Sequence, residues 1–201
     1  MNGGMKMFRT MVLEFLKEDA YKKGDFTLSS GRKSQHYINC KPVTLDGTGS
    51  FYVSNTMLDM VYDDSNSVGV AGLTLGADPL VSTIVMLHGA RVYATDCGAC
   101  HPNAPQKYAG LIVRKKPKGH GTGAWIEGPE LPKGSIVTVV EDVITTGGSA
   151  LFAVEKLREH GYIVNTVITL VDREEHDRSI WKENDLKLNS CFTISEISGH
   201  V

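Results

Sequence analysis

Short apolar runs rich in β-branched residues alternate along the chain with stretches whose apolar positions recur every three or four residues. Residues 68–72, 108–113, 136–140 and 162–171 are of the first kind, the pattern of strands buried on both faces. Residues 6–23 carry Phe8, Met11, Val12, Phe15 and Leu16 at helical spacing, with Gly24 as the stop. Residues 49–62 carry Phe51, Met57, Leu58 and Val61, and end at Asp63, Asp64, Ser65 and Asn66. Further helices are expected over 80–88, from Leu151 to Leu157, and over 179–184. Residues 26–39 have the strand-like start, Ser-Ser-Gly turn and polar–aromatic alternation of a hairpin. Strands are expected over 91–95 and 192–195. The alternation of strand and helix predicts an α/β fold with a mainly parallel sheet. Ligands in such sheets gather at the carboxyl ends of the strands.

The most informative stretch follows the run that begins at Ile136. Glu141 and Asp142 are expected where that strand ends, then Val143 and Ile144, then Thr145, Thr146, Gly147, Gly148 and Ser149, and then a helix. A turn of small hydroxyl and glycine residues at a helix N-terminus can aim several N–H groups and hydroxyls at one anion. Carboxylates beside it cannot favour phosphate. They suit vicinal ribose hydroxyls, or a Mg²⁺ ion. Phosphate and diol together describe a ribose 5-phosphate. A second strand-to-helix turn, around Gly76, Asp78 and Pro79, offers another anion site. A third feature is a glycine-containing basic loop, with Arg114, Lys115, Lys116, Lys118 and His120 within ten residues of one another.

The segment from Ile136 to Ser149 resembles the motif for phosphoribosyl diphosphate (PRPP) in the type I phosphoribosyltransferases, with Glu141 where Asp is more common. Phe26-Thr27-Leu28-Ser29-Ser30-Gly31-Arg32 resembles a signature of the orotate phosphoribosyltransferase family. Arg114, Lys115, Lys118, His120 and Gly121 match that family's basic loop position by position, and Arg173 lies in a matching Asp-Arg segment. The resemblance implies a type I fold over residues 1–201, with a small N-terminal hood (about 1–45, joined by part of the C-terminus) and a core from about 46 onward. It implies formation of orotidine 5′-monophosphate and pyrophosphate from orotate and PRPP, a pentosyl transfer of pyrimidine synthesis. By the same resemblance PRPP is held by Arg114, Lys115, Lys118, His120 and residues 141–149. Orotate is held by Tyr37, Ile38, Thr145 and Arg173, with Ser34 also near the base, and Arg suits a carboxylate through its planar fork. Lys118, His120 and Asp142 are the implied catalytic residues. Mg²⁺ is the implied cofactor, held mainly through PRPP and by Glu141 and Asp142. A homodimer with shared sites is also implied. Two departures stand out: Ser29 and Gly76 occupy positions where relatives carry Lys.

Composition narrows the alternatives. A net charge of −2 over 201 residues gives no basic face for nucleic acid. No apolar run reaches membrane-spanning length, and residues 1–10 lack the apolar core of a signal peptide. A cytoplasmic protein is expected. Four cysteines do not make a disulfide framework at this length. Cys97, Cys100 and His101 form a C-x-x-C-H pattern, read as an incidental loop cluster because a second ligand pair is missing. Two rival functions remain. A phosphoribosyltransferase for a purine would have no use for Arg173. A non-catalytic PRPP-sensing regulator would need a nucleic-acid-binding face.

Overall fold

The structure, a computed structural model, describes residues 3–27, 31, 33–64, 66–93, 107–118 and 124–199. Helix α1 (Gly3–Phe15) passes through a π-helical turn (Leu16–Ala20) into strand β1 (Tyr21–Thr27), which pairs antiparallel with β2 (Lys33–Ile38) in a two-stranded sheet. The helix expected to continue to Lys23 therefore stops three residues earlier, at Ala20. Tyr21 is already extended (φ −93°, ψ 139°), because its pairing with Ile38 overrides the helical propensity of Lys22 and Lys23, as tertiary context readily does.

A short α2 (Lys41–Thr44) and long α3 (Gly47–Asp64) lead to β3 (Gly69–Leu73), α4 (Asp78–Tyr93), β4 (Ala109–Val113) and the two-residue β5 (Ile126–Glu127). Then come β6 (Thr138–Ile144), α5 (Gly148–Glu159), β7 (Thr166–Asp172), α6 (Ser179–Glu183), β8 (Lys187–Thr193) and α7 (Ile194–Ser198). The six-stranded sheet has the order β5-β4-β3-β6-β7-β8, parallel throughout except for the β4–β5 pair.

The core divides across this sheet. Val70, Val140, Ile168 and Phe192 pack with Val12, Leu16, Met57, Leu58 and Ile84 from α1, the π-helical turn, α3 and α4. Ala71, Val139 and Val167 turn the other way, onto Ala153, Val154 and Leu157 of α5 and Trp181 of α6. Burying each large aliphatic side chain contributes about 1.5–3 kcal/mol. The two layers together hold the central strands so that their carboxyl ends share one edge.

Two expectations fail at element ends. Residues 91–93 belong to α4, not to a strand. Arg91 reaches back to Asp59 and, at 2.7 Å, to Asn55 of α3, and that anchorage favours another helical turn over the strand preference of Val92 and Tyr93. The last strand runs over Lys187–Thr193, and residues 194–198 are helical. Thr193 caps that helix by accepting from the Glu196 amide at 3.2 Å, as its Thr-x-x-Glu spacing allows. Among the described residues no helix is long and apolar enough to cross a membrane.

Candidate active site

The carboxyl edge of the sheet is where the sequence motifs converge. Strand β6 does not end before its carboxylates. It pairs with β7 through Glu141↔Thr169 and on to Ile144↔Asp172, so both acids are part of a rigid strand. Glu141 is only 5% exposed. Burial, then the charge and hydrogen bonding of Asp142, push its carboxyl well above the ordinary range, and the nearby Lys115 ammonium pulls it back. Asp142 accepts from the Val143 amide at 2.9 Å and lies 3.9 Å from Lys41 Nζ.

Gly76 faces Asp142 across the edge. A Cβ at that position would sit 2.5 Å from Asp142 Oδ1, so any side chain there requires the Asp142 carboxylate to move. The cation within reach of Asp142 comes instead from Lys41, on α2. Beneath it the Cys40 thiol is driven far above its ordinary range, by burial first and by Asp142 second. Deep burial and a raised pKa describe an unreactive thiol.

After Ile144 the chain turns through Thr145 and Thr146 into Gly147, which caps α5 in the left-handed conformation (φ 82°) with no side-chain cap bond. Apart from a long contact from the Gly148 amide to Thr146 Oγ1 at 3.5 Å, the first amides of α5 stay available at the positive end of a helix twelve residues long. Thr146, Gly148 and Ser149 are exposed. This is the loop that the sequence reading takes as an anion site.

Arg173 follows β7 directly, tied to the loop by its amide on Ile144 O at 2.9 Å. Its side chain is buried. Nη2 donates to Ser34 Oγ (3.2 Å), His36 O (3.1 Å) and Glu175 Oε1 (2.6 Å), which joins the β1–β2 hairpin to the sheet edge. Nε has no partner. Of the expected base-side residues, Tyr37 is 39% exposed and Ile38 turns into the core at 7%.

The basic loop leaves β4 through a closed stem, with the Arg114 amide on Trp125 O (2.8 Å) and the Lys118 amide on Ala124 O (3.0 Å). Trp125 packs on α5, its ring 5.8 Å from Phe152 and 5.0 Å from Lys156 Nζ. Glu127 takes both loop cations, Arg114 at 3.1 Å and Lys118 at 3.7 Å. Lys115 is exposed. His120, Gly121, Ser29 and the Cys97–Cys100–His101 cluster lie outside the described residues.

Three buried polar atoms without a hydrogen-bond partner meet at this one edge: Asp78 Oδ1 on the first turn of α4, Glu141 Oε2 and Arg173 Nε. Such orphans are costly in a finished core. These three, on segments that reach this rim, are donors and acceptors that a ligand could satisfy. Lys41, Glu127 and the buried His176–Trp181 pair also belong to this region. Spacing gave no sign of them, since each reaches the site only through tertiary packing.

A parallel sheet in which one central strand, β6, delivers two acids and then a Thr/Gly/Ser loop, while a cationic loop leaves β4 two strands away, is the pattern of the type I phosphoribosyltransferases. No protein-family model matches the chain, but full-length relatives do. It is 47% identical over 201 residues to the orotate phosphoribosyltransferase of Thermosynechococcus vestitus, covering 100% of this chain and 98% of that protein. It superposes on the Mycobacterium tuberculosis orotate phosphoribosyltransferase, solved with Fe(III) dicitrate, with a TM-score of 0.75 at 32% identity, covering 94% of this chain and 98% of that one. The same enzyme in complex with PRPP gives 0.72 at 29% identity, covering 95% and 99%. The chain belongs to the orotate phosphoribosyltransferase family.

Proposed function

We propose that the chain joins orotate to the ribose of PRPP, releasing pyrophosphate and forming orotidine 5′-monophosphate, and that it does so with the edge residues in the following roles. The amides and hydroxyls of Thr145, Thr146, Gly147, Gly148 and Ser149 hold the 5-phosphate. Glu141 and Asp142 accept from the ribose hydroxyls, and Val143 and Ile144 set the backbone between them and the loop. As pyrophosphate departs, C1′ gains oxocarbenium character and negative charge builds on the leaving group. Arg114, Lys115 and Lys118, with His120 as a proton donor, stabilise that charge. Arg173 pairs with the orotate carboxylate, with Tyr37, Ile38 and Thr145 along the ring, and so aims the ring nitrogen at C1′.

The buried Arg173 guanidinium carries this proposal. Nη2 is anchored by Ser34, His36 and Glu175 while Nε lacks a partner, which leaves one N–H of a fixed planar cation to meet an anion. A neutral purine offers no negative charge to that N–H.

Mg²⁺ fits the donor set. Glu141 has an orphaned, buried Oε2 beside Asp142, and two carboxylates plus substrate phosphates are the kind of partial ligation Mg²⁺ accepts. No cluster of three or more metal-ligating side chains occurs among the described residues, so the ion would be carried mainly by PRPP. When bound, it neutralises phosphate charge. We further infer a cytoplasmic homodimer whose basic loops reach the partner's site, with residues 1–45 as a hood over the base.

The test is direct. Purified protein, Mg²⁺ and PRPP are mixed with orotate, adenine, hypoxanthine or uracil, and loss of base absorbance is followed. Turnover of orotate alone is expected. Turnover of another base instead overturns the role of Arg173, and PRPP binding without any turnover favours a sensor. Restored activity on mixing inactive Lys118→Ala and Arg173→Ala proteins would support shared sites.

A further inference from the structure

A closed ring of contacts links the last residue of β7 to the anion loop. Asp172 Oδ1 accepts from the Glu174 amide at 2.7 Å and faces His176 Nε2 at 3.1 Å. Trp181 Nε1 donates to His176 Nδ1 at 3.2 Å. An indole N–H can only donate, so Nδ1 is the acceptor and the ring proton resides on Nε2, directed at Asp172. The His176 side chain is 1% exposed and that of Asp172 7%. The far edge of the Trp181 ring lies under Gly147, where an added Cβ would sit 3.0 Å from it and 2.9 Å from Ile180 Cδ1. From Gly147 the chain returns through Ile144, which pairs with Asp172.

We infer that His176 and Trp181 are positioning residues that fix the anion loop against the β7 edge, and through it the 5-phosphate of PRPP. The inference rests on the proposed role of Thr145–Ser149 as phosphate ligands. Neither His176 nor Trp181 is assigned a contact with substrate. It acts by holding the left-handed Gly147, and hence the direction of the first α5 amides. Arg173 has its own anchors on Ser34, His36 and Glu175, so the ring governs the phosphate end more than the orotate end.

The experiment is steady-state kinetics with Mg²⁺, PRPP and orotate on His176→Leu, His176→Gln, Trp181→Phe and Ser149→Ala, with Tm measured for each. His176→Leu leaves the Trp181 indole N–H unmet and strips Asp172 of one of its two donors, and is expected to raise the KM for PRPP roughly tenfold, with that for orotate within about twofold. His176→Gln can accept from the indole and donate to Asp172, and should recover PRPP KM to within about threefold. Trp181→Phe, the milder change, should raise it about threefold. A fall in Tm with unchanged PRPP KM in both the His176→Leu and Trp181→Phe proteins overturns the inference, as does an equal rise in both KM values. Ser149→Ala separates the two levels. If it raises PRPP KM while the His176 and Trp181 variants do not, the positioning role alone fails. If none of the variants moves PRPP KM, the phosphate-loop assignment fails with it.

Discussion

The two halves of the candidate site are built in opposite ways. From Glu141 to Gly147 the groups are fixed in a strand and a helix cap, mostly buried or half-buried, with Glu141 Oε2 left unmet. At the stem of the basic loop the side chains of Arg114, Lys118 and Glu127 are accessible and already paired, Arg114 and Lys118 sharing the Glu127 carboxylate. The first half is preorganised at a cost in stability, the second neutralised until something more negative arrives. A ribose phosphate asks for fixed geometry, whereas a departing pyrophosphate asks for charge that can be brought to it. The difference matches the two ends of PRPP.

Removing charge from the exposed half should have the largest effect. Lys118→Ala is expected to lower kcat by roughly 10²–10³-fold, the scale of one lost preorganised transition-state contact. Stopped-flow or steady-state orotate consumption checks it, and an unchanged kcat would reduce this half to a binding surface. Arg173→Ala should be next in size. It removes charge-assisted bonds of about 1.5–3 kcal/mol, so the KM for orotate should rise roughly 10–100-fold while that for PRPP changes far less. Equal rises in both would mean that Arg173 supports the edge rather than orotate.

The buried half was the more legible in sequence. Its strands are β-branched runs, and its acids, hydroxyls and glycines are contiguous, so one window of fifteen residues displayed nearly all of it. Only the strand end was misplaced, because pairing with β7 carries β6 through Glu141 and Asp142. The polar edge strand β8 was read too late in the chain, since Lys187 and Asn189 do not look like a strand until Val167 and its neighbours pair with it. Lys41, Glu127 and His176 were invisible for a related reason. Each meets the site across a fold-level contact, and no local spacing encodes that. Gly76 stood out as a departure, but only the position of Asp142 shows that a side chain there would crowd its carboxylate.

The cost of preorganisation can be measured at Glu141. Burial raises its carboxyl above the ordinary value of 4.5, so the folded protein favours the protonated form. Below that ordinary value the group costs nothing, because it is protonated folded and unfolded alike. As pH rises through the folded value, the buried charge is imposed and stability is lost. Glu141→Gln should therefore raise the Tm of ligand-free protein at neutral and alkaline pH, and the gain should vanish in acid. Activity should fall in the same variant. A Tm gain that persists unchanged below the ordinary carboxylate range would show that something other than charge burial sets the cost.

Glu127→Gln gives the smallest effect and the sharpest contrast. Both of its ion pairs are exposed, with the Arg114 and Glu127 side chains each 40% accessible and Lys118 at 52%, and exposed pairs contribute about 0.2–1 kcal/mol. Loss of the carboxylate should leave Tm within about 2 °C, unlike Glu141→Gln, because little burial energy is at stake. It should also free the two cations for pyrophosphate. Affinity for pyrophosphate is expected to rise about two- to fivefold, from the same pair energies, and most at low salt, where exposed charges are least screened. Isothermal titration of pyrophosphate at two ionic strengths reads this directly. Weaker binding would mean that Glu127 orients the cations toward the ligand. It would then be as much a part of the preorganised machinery as Glu141, and the division between the two halves would dissolve.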